Sequence, residues 1–463
     1  MLTRRAAELA AAAAAVALYL PALGYGFVFD DEALIGPDGS PLALGGSLPY
    51  RPLRYASYLI DGWLGGTSTI YHLHNVLLHG LVAALTVALA RRLGASRVAA
   101  LAGGLLLAFH PLAVEAVAYV AGRRDLLCVA LGLGAVLACL SGRQLVSLLL
   151  LLLAAAAKES ALVFAVPLAA AAATGLDGGA AAQRPGRAFA LAAATAAAVA
   201  LVVAYGAIGP WGPSVDPAGL AFPGRVALHY LAGLAGLREF APEYPELMLY
   251  ADRVRLGEAA AVWGGAAMTL LLGVAAAASL AACARAGRSP RPAFLTAWTT
   301  SVLAALAVWG GLHEPGVDRH AYLLLPVAAV VVAVSLSPLS RLLARGDRRA
   351  LAAAAVACLL LTGSASATRA QMETWRSERS LWNSAGRHPS ASSRALANLA
   401  RQYAVEGRYP KAANKLTAAI AASPGDAGLF LARAAVRCAQ GRGLLANGDF
   451  ERARRAGADP AAV

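Results

Sequence analysis

Three consecutive carboxylates, Asp30-Asp31-Glu32, come just after an apolar segment, Glu8–Gly24. Charge at the mouth of a membrane helix is costly to hold near lipid, so such a cluster is either solvated at the surface or used there. One of these groups could take a proton from an attacking hydroxyl. Asp30 and Asp31 together could instead bind a divalent cation. The competing reading is helix capping or a solvated loop, with the neighbouring rings Tyr25, Phe27 and Phe29 anchoring it at the membrane interface.

Further polar stretches follow in the same half of the chain. Arg51-Pro52-Leu53-Arg54-Tyr55 opens a segment ending at Trp63 that reads as an amphipathic helix lying on the membrane. Tyr71-His72-Leu73-His74-Asn75 leads to His79, and His72, Asn75 and His79 share one helical face. That face suits hydrogen bonding between helices; a metal site is the weaker alternative. His110-Pro111 ends a helix, followed by Glu115 and by Gly122-Arg123-Arg124-Asp125. Arginines at helix ends suit a phosphate through bidentate hydrogen bonds, or they pair with Asp125 and Glu115. Lys158-Glu159 interrupts a long apolar run, where charge is functional or mutually paired. Asp318-Arg319-His320-Ala321-Tyr322 feeds a later apolar segment, and Arg319 could bind an anionic headgroup or pair with Asp318.

These groups need a frame, and composition supplies its class. Of 463 residues, 59% are hydrophobic and 14% charged, against about 25% charged in soluble proteins. Mean hydropathy is +0.60. The expected fold is all-α, a polytopic membrane helix bundle, because the short alternating segments of a barrel are absent. Eleven spans are expected: Glu8–Gly24, Tyr71–Arg91, Val98–His110, Asp125–Leu140, Leu145–Ala157, Ser160–Thr174, Ala188–Gly209, Ala259–Cys283, Phe294–Leu312, Tyr322–Leu336 and Ala350–Thr368. Val226–Phe240 reads as a helix on the membrane surface. The net charge of +14 does not imply nucleic acid, because most basic residues lie in short loops between apolar segments. With the N-terminus inside, arginines fall on one side and the acidic and mixed stretches on the other, as the positive-inside rule requires. Five scattered cysteines make no CxxC and no disulfide framework. The Ala/Arg/Gly bias points to a bacterial genome and hence to the bacterial inner membrane.

Residues 1–368 form the expected membrane domain and 369–463 an extracytoplasmic one. In the second, Leu399, Ala400, Tyr403, Gly407, Tyr409, Ala412, Leu416, Ala419 and Pro424 fit a tetratricopeptide repeat. Ala434, Gly441, Ala446, Phe450 and Ala453 return one 34-residue period later. Trp375–His388 should cap the pair as a preceding helix.

Taken in order, these stretches resemble the transmembrane and tetratricopeptide-repeat O-mannosyltransferases of the C-type glycosyltransferase superfamily. The likeness rests on Phe29-Asp30-Asp31, Arg51-Pro52-Leu53, Tyr71-His72 with Asn75 and His79, His110-Pro111 with Glu115, and Gly122-Arg123 with Asp125. Lys158-Glu159, the Asp318–Tyr322 loop with Pro326, and the repeats complete it. The resemblance implies transfer of a sugar, mannose by the family name, from a polyprenyl phosphate to an extracytoplasmic acceptor, a protein Ser or Thr, with inversion. It implies an acceptor-activating base, here Asp30 or Asp31, and phosphate ligands, here Arg123, Arg124, Lys158 and Arg319. Glu32, Arg51, His74, His79, His110, Glu115 and His320 complete the candidate site. The resemblance implies the lipid-linked sugar as donor substrate and fixes no cofactor, with a divalent cation as an option. The loop Pro210–Gly257 is expected to shape the acceptor cleft. About two repeats are present, too few for a long peptide groove. A non-catalytic scaffold and a transporter are the rival readings.

Overall fold

The computed structural model describes residues 5–42, 51–178, 221–237, 290–312, 318–387 and 391–458. Every regular element among them is helical, and one isolated antiparallel bridge, Ile35 to Pro41, closes the first loop. The chain divides into two compact units, with a boundary between Glu373 and Thr374.

In the first unit, four helices are long and apolar enough to cross a membrane: Ala6–Gly24, Ser68–Arg92, Asp318–Ala344 and Arg348–Trp375. A fifth crossing arises if Arg97–Phe109 and Pro111–Ala118, bent by 56°, are one broken span. The expected eleven are therefore not reached among the described residues. Ala188–Gly209 and Ala259–Cys283 lie outside those residues, as does the loop Pro210–Gly257 apart from the Ala221–Leu234 helix and its first following turn. The surface segment Val226–Phe240 is described only as far as residue 237. Phe294–Leu312 falls within the Pro290–Leu312 helix. Asp125–Leu140 falls within a helix whose first turn carries Arg123, Arg124 and Asp125. Lys158 ends one apolar helix and Glu159 begins the next, leaving 14 residues in Gln144–Ala157. Such a helix is about 21 Å long, short of the roughly 30 Å hydrocarbon core.

Small residues let these helices approach closely. A Cβ added to Gly103 would lie 2.6 Å from the Ala329 carbonyl oxygen, and one on Gly104 would collide with Val87. The Arg97–Phe109 helix starts on Ser96, whose hydroxyl accepts from the Ala99 amide. It stops before Pro111, whose ring cannot continue the ladder. The stop leaves the Phe109 carbonyl without its usual amide, because Ala113 N–H donates to His110 instead. Two hydroxyls of the Arg348–Met372 helix replace it: Ser364 Oγ donates to Phe109 O at 2.8 Å and Thr368 Oγ1 at 2.6 Å. Removing both, as Ser364→Ala with Thr368→Val, should cost about 1–3 kcal/mol through the orphaned carbonyl. Thermal melting of the solubilised full chain measures this, and an unaltered melting temperature refutes the assignment.

The second unit holds the helices Glu378–Ala385, Ser393–Val405, Tyr409–Ala422, Ala427–Ala439 and Gly443–Arg455. The first is closed by a Ser377–Ser380 capping box. The starts of the last four recur, Ser393 to Ala427 and Tyr409 to Gly443, each 34 positions apart. Gly407 (φ 71°) and Gly441 (φ 73°) make the corresponding turns, in a backbone region that glycine enters without strain. Leu396, Ala400, Ala412, Leu416, Ala419, Leu429 and Val436 form one core. Arg433 bonds the buried Asp449 through two nitrogens, at 2.9 and 2.7 Å.

Candidate functional site

The first loop separates the three carboxylates by a tight turn. Asp31 N–H donates to the Val28 carbonyl at 3.1 Å, while Val28 N–H donates back to Asp31 Oδ2 at 3.2 Å. Phe29 has φ 57° and Asp30 has φ −73°, ψ −6°, the signs of a type II′ turn. The first central position of that turn favours glycine, and a side chain there costs about 1–2 kcal/mol. The result is that Asp31 turns inward, fully buried, whereas Asp30 and Glu32 are exposed. Asp31 Oδ1 accepts from the Ala121 amide at 2.8 Å, tying the first loop to the segment after the broken span. The rings expected to anchor the loop at the membrane pack inward instead. Tyr25 sits edge-on to His72, Phe27 edge-on to Tyr71, and Phe29 against Tyr119.

Burial pushes the Asp31 carboxyl up from 3.8 to about 7, against the opposing pull of its amide donors. A carboxyl whose folded value is raised contributes its full stability below the unfolded value and loses it as pH climbs through the folded one. Stability should therefore fall between about pH 4 and about pH 7, by at most about 1.4 kcal/mol per pH unit, and level off above. Melting curves across that window should be flatter in Asp31→Asn; equal slopes in both proteins would remove Asp31 as the cause.

Beneath the loop lies a buried polar frame. Asn75 donates to the carbonyls of Val117, Tyr119 and Val120 at 3.2, 3.0 and 3.4 Å. Its own oxygen accepts from Arg123 Nε at 2.8 Å. Arg123 also bonds the Tyr71 carbonyl at 2.6 Å and pairs with Asp61. His74, one-third exposed, shares that same carboxylate. Arg123, which the resemblance implies as a phosphate ligand, is fully buried, and its nitrogens bind protein. Desolvating a guanidinium demands such partners, and they hold three helices together.

The other cations gather around His320. His320, largely buried, lies in the electrostatic reach of Lys158, Arg319, Arg124 and Arg51, and its Nδ1 has no hydrogen-bond partner among the described residues. Arg51 pairs with Glu159 at 3.0 and 2.5 Å, Lys158 with Asp125, and Arg319 with Glu115 at 2.5 Å. The Arg319 amide donates to the second Glu115 oxygen at 2.9 Å. Among the described residues Arg124 approaches Asp125 at 3.6 Å, and its Nε makes no hydrogen bond. Tyr119 lies within electrostatic reach of Asp30, Asp31, Arg319 and Arg124, with the Phe29 ring 6.0 Å and the Arg319 guanidinium carbon 5.8 Å from its ring centroid.

Two candidate site residues, His79 and His110, make hydrogen bonds within the helix bundle. His79 bonds Tyr322 Oη at 2.8 Å and the Ala108 carbonyl at 3.2 Å. His110 accepts from the Leu112 amide and bonds the Leu234 carbonyl at 3.0 Å. His313 and Glu314, beside the Asp318 loop, lie outside the described residues. No group of three His, Cys, Asp or Glu side chains converges among the described residues. Both oxygens of Asp31 are engaged by amides.

Asp61 and Tyr119 were not foreseen. Asp61 had a signal, since Arg54, Tyr58 and Asp61 recur at helical spacing and form the buried face of Pro52–Trp63. Tyr119 had none, because it lies in an extended link between two short helical turns.

No protein-family model matches the chain, and no solved structure matches it. Over a limited stretch it is similar to proteins named protein O-mannosyl-transferase. Tmtc2 of Drosophila melanogaster is 41% identical over 133 residues, 24% of this chain and 14% of that protein. Tmtc1 of the same fly is 38% identical over 134 residues, 25% of this chain and 16% of that protein. Human TMTC2 is 34% identical over 139 residues, 26% of this chain and 17% of that protein. The matched stretch thus spans about a quarter of this chain and about a sixth of the relatives' length.

Proposed function

We propose that the protein is an integral-membrane glycosyltransferase that moves a sugar, mannose by analogy with the names of its relatives, from a polyprenyl phosphate to a hydroxyl on a protein acceptor. The observation that carries this reading is the local identity to proteins named protein O-mannosyl-transferase, and the exposed Asp30 carboxylate and the cations around His320 supply groups suited to that chemistry. Asp30 takes the proton of the acceptor hydroxyl. The freed oxygen attacks the anomeric carbon from the face opposite the phosphate. The bond from that carbon to the phosphate oxygen breaks, its electron pair stays on the phosphate, and the sugar inverts. Arg124 makes the loosest internal ion pair of the cluster and meets the phosphate charge, with the neutral His320 ring as a hydrogen-bond donor, so no general acid is needed. Arg123 and Asp31 are structural in this scheme. The two C-terminal hairpins act as tetratricopeptide repeats that bring the acceptor, and the site and repeats face outward from a bacterial inner membrane. The local identity to named O-mannosyl-transferases supports the chemistry, and the charge alternation supports the sidedness.

The test is reconstitution of the full chain in lipid nanodiscs with radiolabelled polyprenyl-phosphate mannose and Ser/Thr-containing acceptor peptides. Labelled peptide is the expected product. Absence of transfer from mannose and glucose donors alike would sink the reading.

A further inference from the structure

We propose that Phe29 and Tyr119 form an aromatic clamp that aims Asp30, making both positioning residues for the transfer; this rests on the function proposed above. Phe29 occupies a turn position that favours glycine, with φ 57°. A phenylalanine persists there only if its ring is held elsewhere. The ring lies against Tyr119, with centroids 6.0 Å apart and planes tilted by 50°.

Tyr119 is itself held at its carbonyl and at its ring. Asn75 donates to its carbonyl at 3.0 Å, and its backbone is extended between two helical turns. The Arg319 guanidinium carbon sits 5.8 Å from its ring centroid, and Arg319 is held in turn by both Glu115 oxygens. One unbroken line of contacts therefore runs from the turn carrying Asp30, through Phe29 and Tyr119, to a cation of the cluster. Tyr119 is fully buried, so it acts without touching substrate. A displacement with inversion needs the base and the leaving phosphate at a fixed separation on opposite faces of the sugar. The clamp sets that separation.

Phe29→Gly isolates the clamp, because glycine suits the turn better while deleting the ring. In nanodiscs, with polyprenyl-phosphate mannose and an acceptor peptide, kcat should fall roughly 100-fold while the donor KM changes by less than about twofold. Melting temperature should not fall, since backbone strain is relieved. Hydrogen–deuterium exchange should accelerate across residues 28–33 and 119–122. Phe29→Tyr, which keeps the ring, should restore both kcat and amide protection. The clamp is overturned if Phe29→Gly keeps kcat within about twofold of the parent, or if exchange in those segments does not change. If the parent protein transfers no sugar, the proposed function fails on its own, and the exchange measurement still decides the clamp.

Discussion

Asp30→Asn should abolish most sugar transfer, about 10²–10⁴-fold in kcat, while the protein inserts and melts as before. Two features of the turn separate Asp30 from its neighbour. Asp30 is exposed and supplies no cap to the short helix that follows it. Asp31 is buried and its two oxygens hold the turn and the Ala121 amide. An amide in place of the Asp30 carboxylate keeps the size and the turn and removes only the basicity. Asp31→Asn should behave differently, because an amide nitrogen cannot accept from Ala121 or Val28, so it should lower stability along with activity. The two variants, compared for transfer rate and melting temperature in nanodiscs, make the assignment decidable. An Asp30→Asn protein with parental kcat would exclude Asp30 as the base.

Asp61→Ala should be the most destabilising single change in the first unit, on the order of 3–5 kcal/mol. It would leave the Arg123 guanidinium fully buried without its carboxylate, and His74 would lose the same partner. Asn75 and the Tyr71 carbonyl would still hold Arg123, but neither carries charge. The penalty is that of an uncompensated ion, not the worth of the pair. Replacing both members with apolar residues, Asp61→Leu with Arg123→Met, should therefore recover much of the loss. Membrane abundance and melting temperature of the single and double variants measure this. A single variant as stable as the parent would show that the frame is not held by this pair.

Much of the architecture was legible because it follows from local chemistry. The shared face of His72, Asn75 and His79 needs only helical periodicity, and all three are fully buried. Pro111 ends its helix because it lacks an amide donor. The 34-residue recurrence of the C-terminal hairpins is a repeat of residue types, and small residues at 412, 419, 434, 446 and 453 are buried as their spacing required. Span counting was less secure. Length and hydropathy do not say whether two short apolar runs, such as those around Lys158-Glu159, are two crossings or one interrupted pair.

Residue type and order determined that this chain is helical, membrane-embedded in its first part and repetitive in its last, and that its acids and cations cluster near helix ends. Which member of each cluster is fully buried was decided only by tertiary structure. Asp30 and Asp31 are adjacent and alike, yet a left-handed Phe29 and the Ala121 amide bury one and expose the other. Arg123 and Arg124 are likewise adjacent, and about 100° of helical rotation points one at Asp61 and Asn75 and leaves the other beside His320. Burial depends on partners distant in sequence, and one residue of rotation or one turn dihedral, invisible in composition or spacing, selects which of two adjacent ions is sealed into the protein.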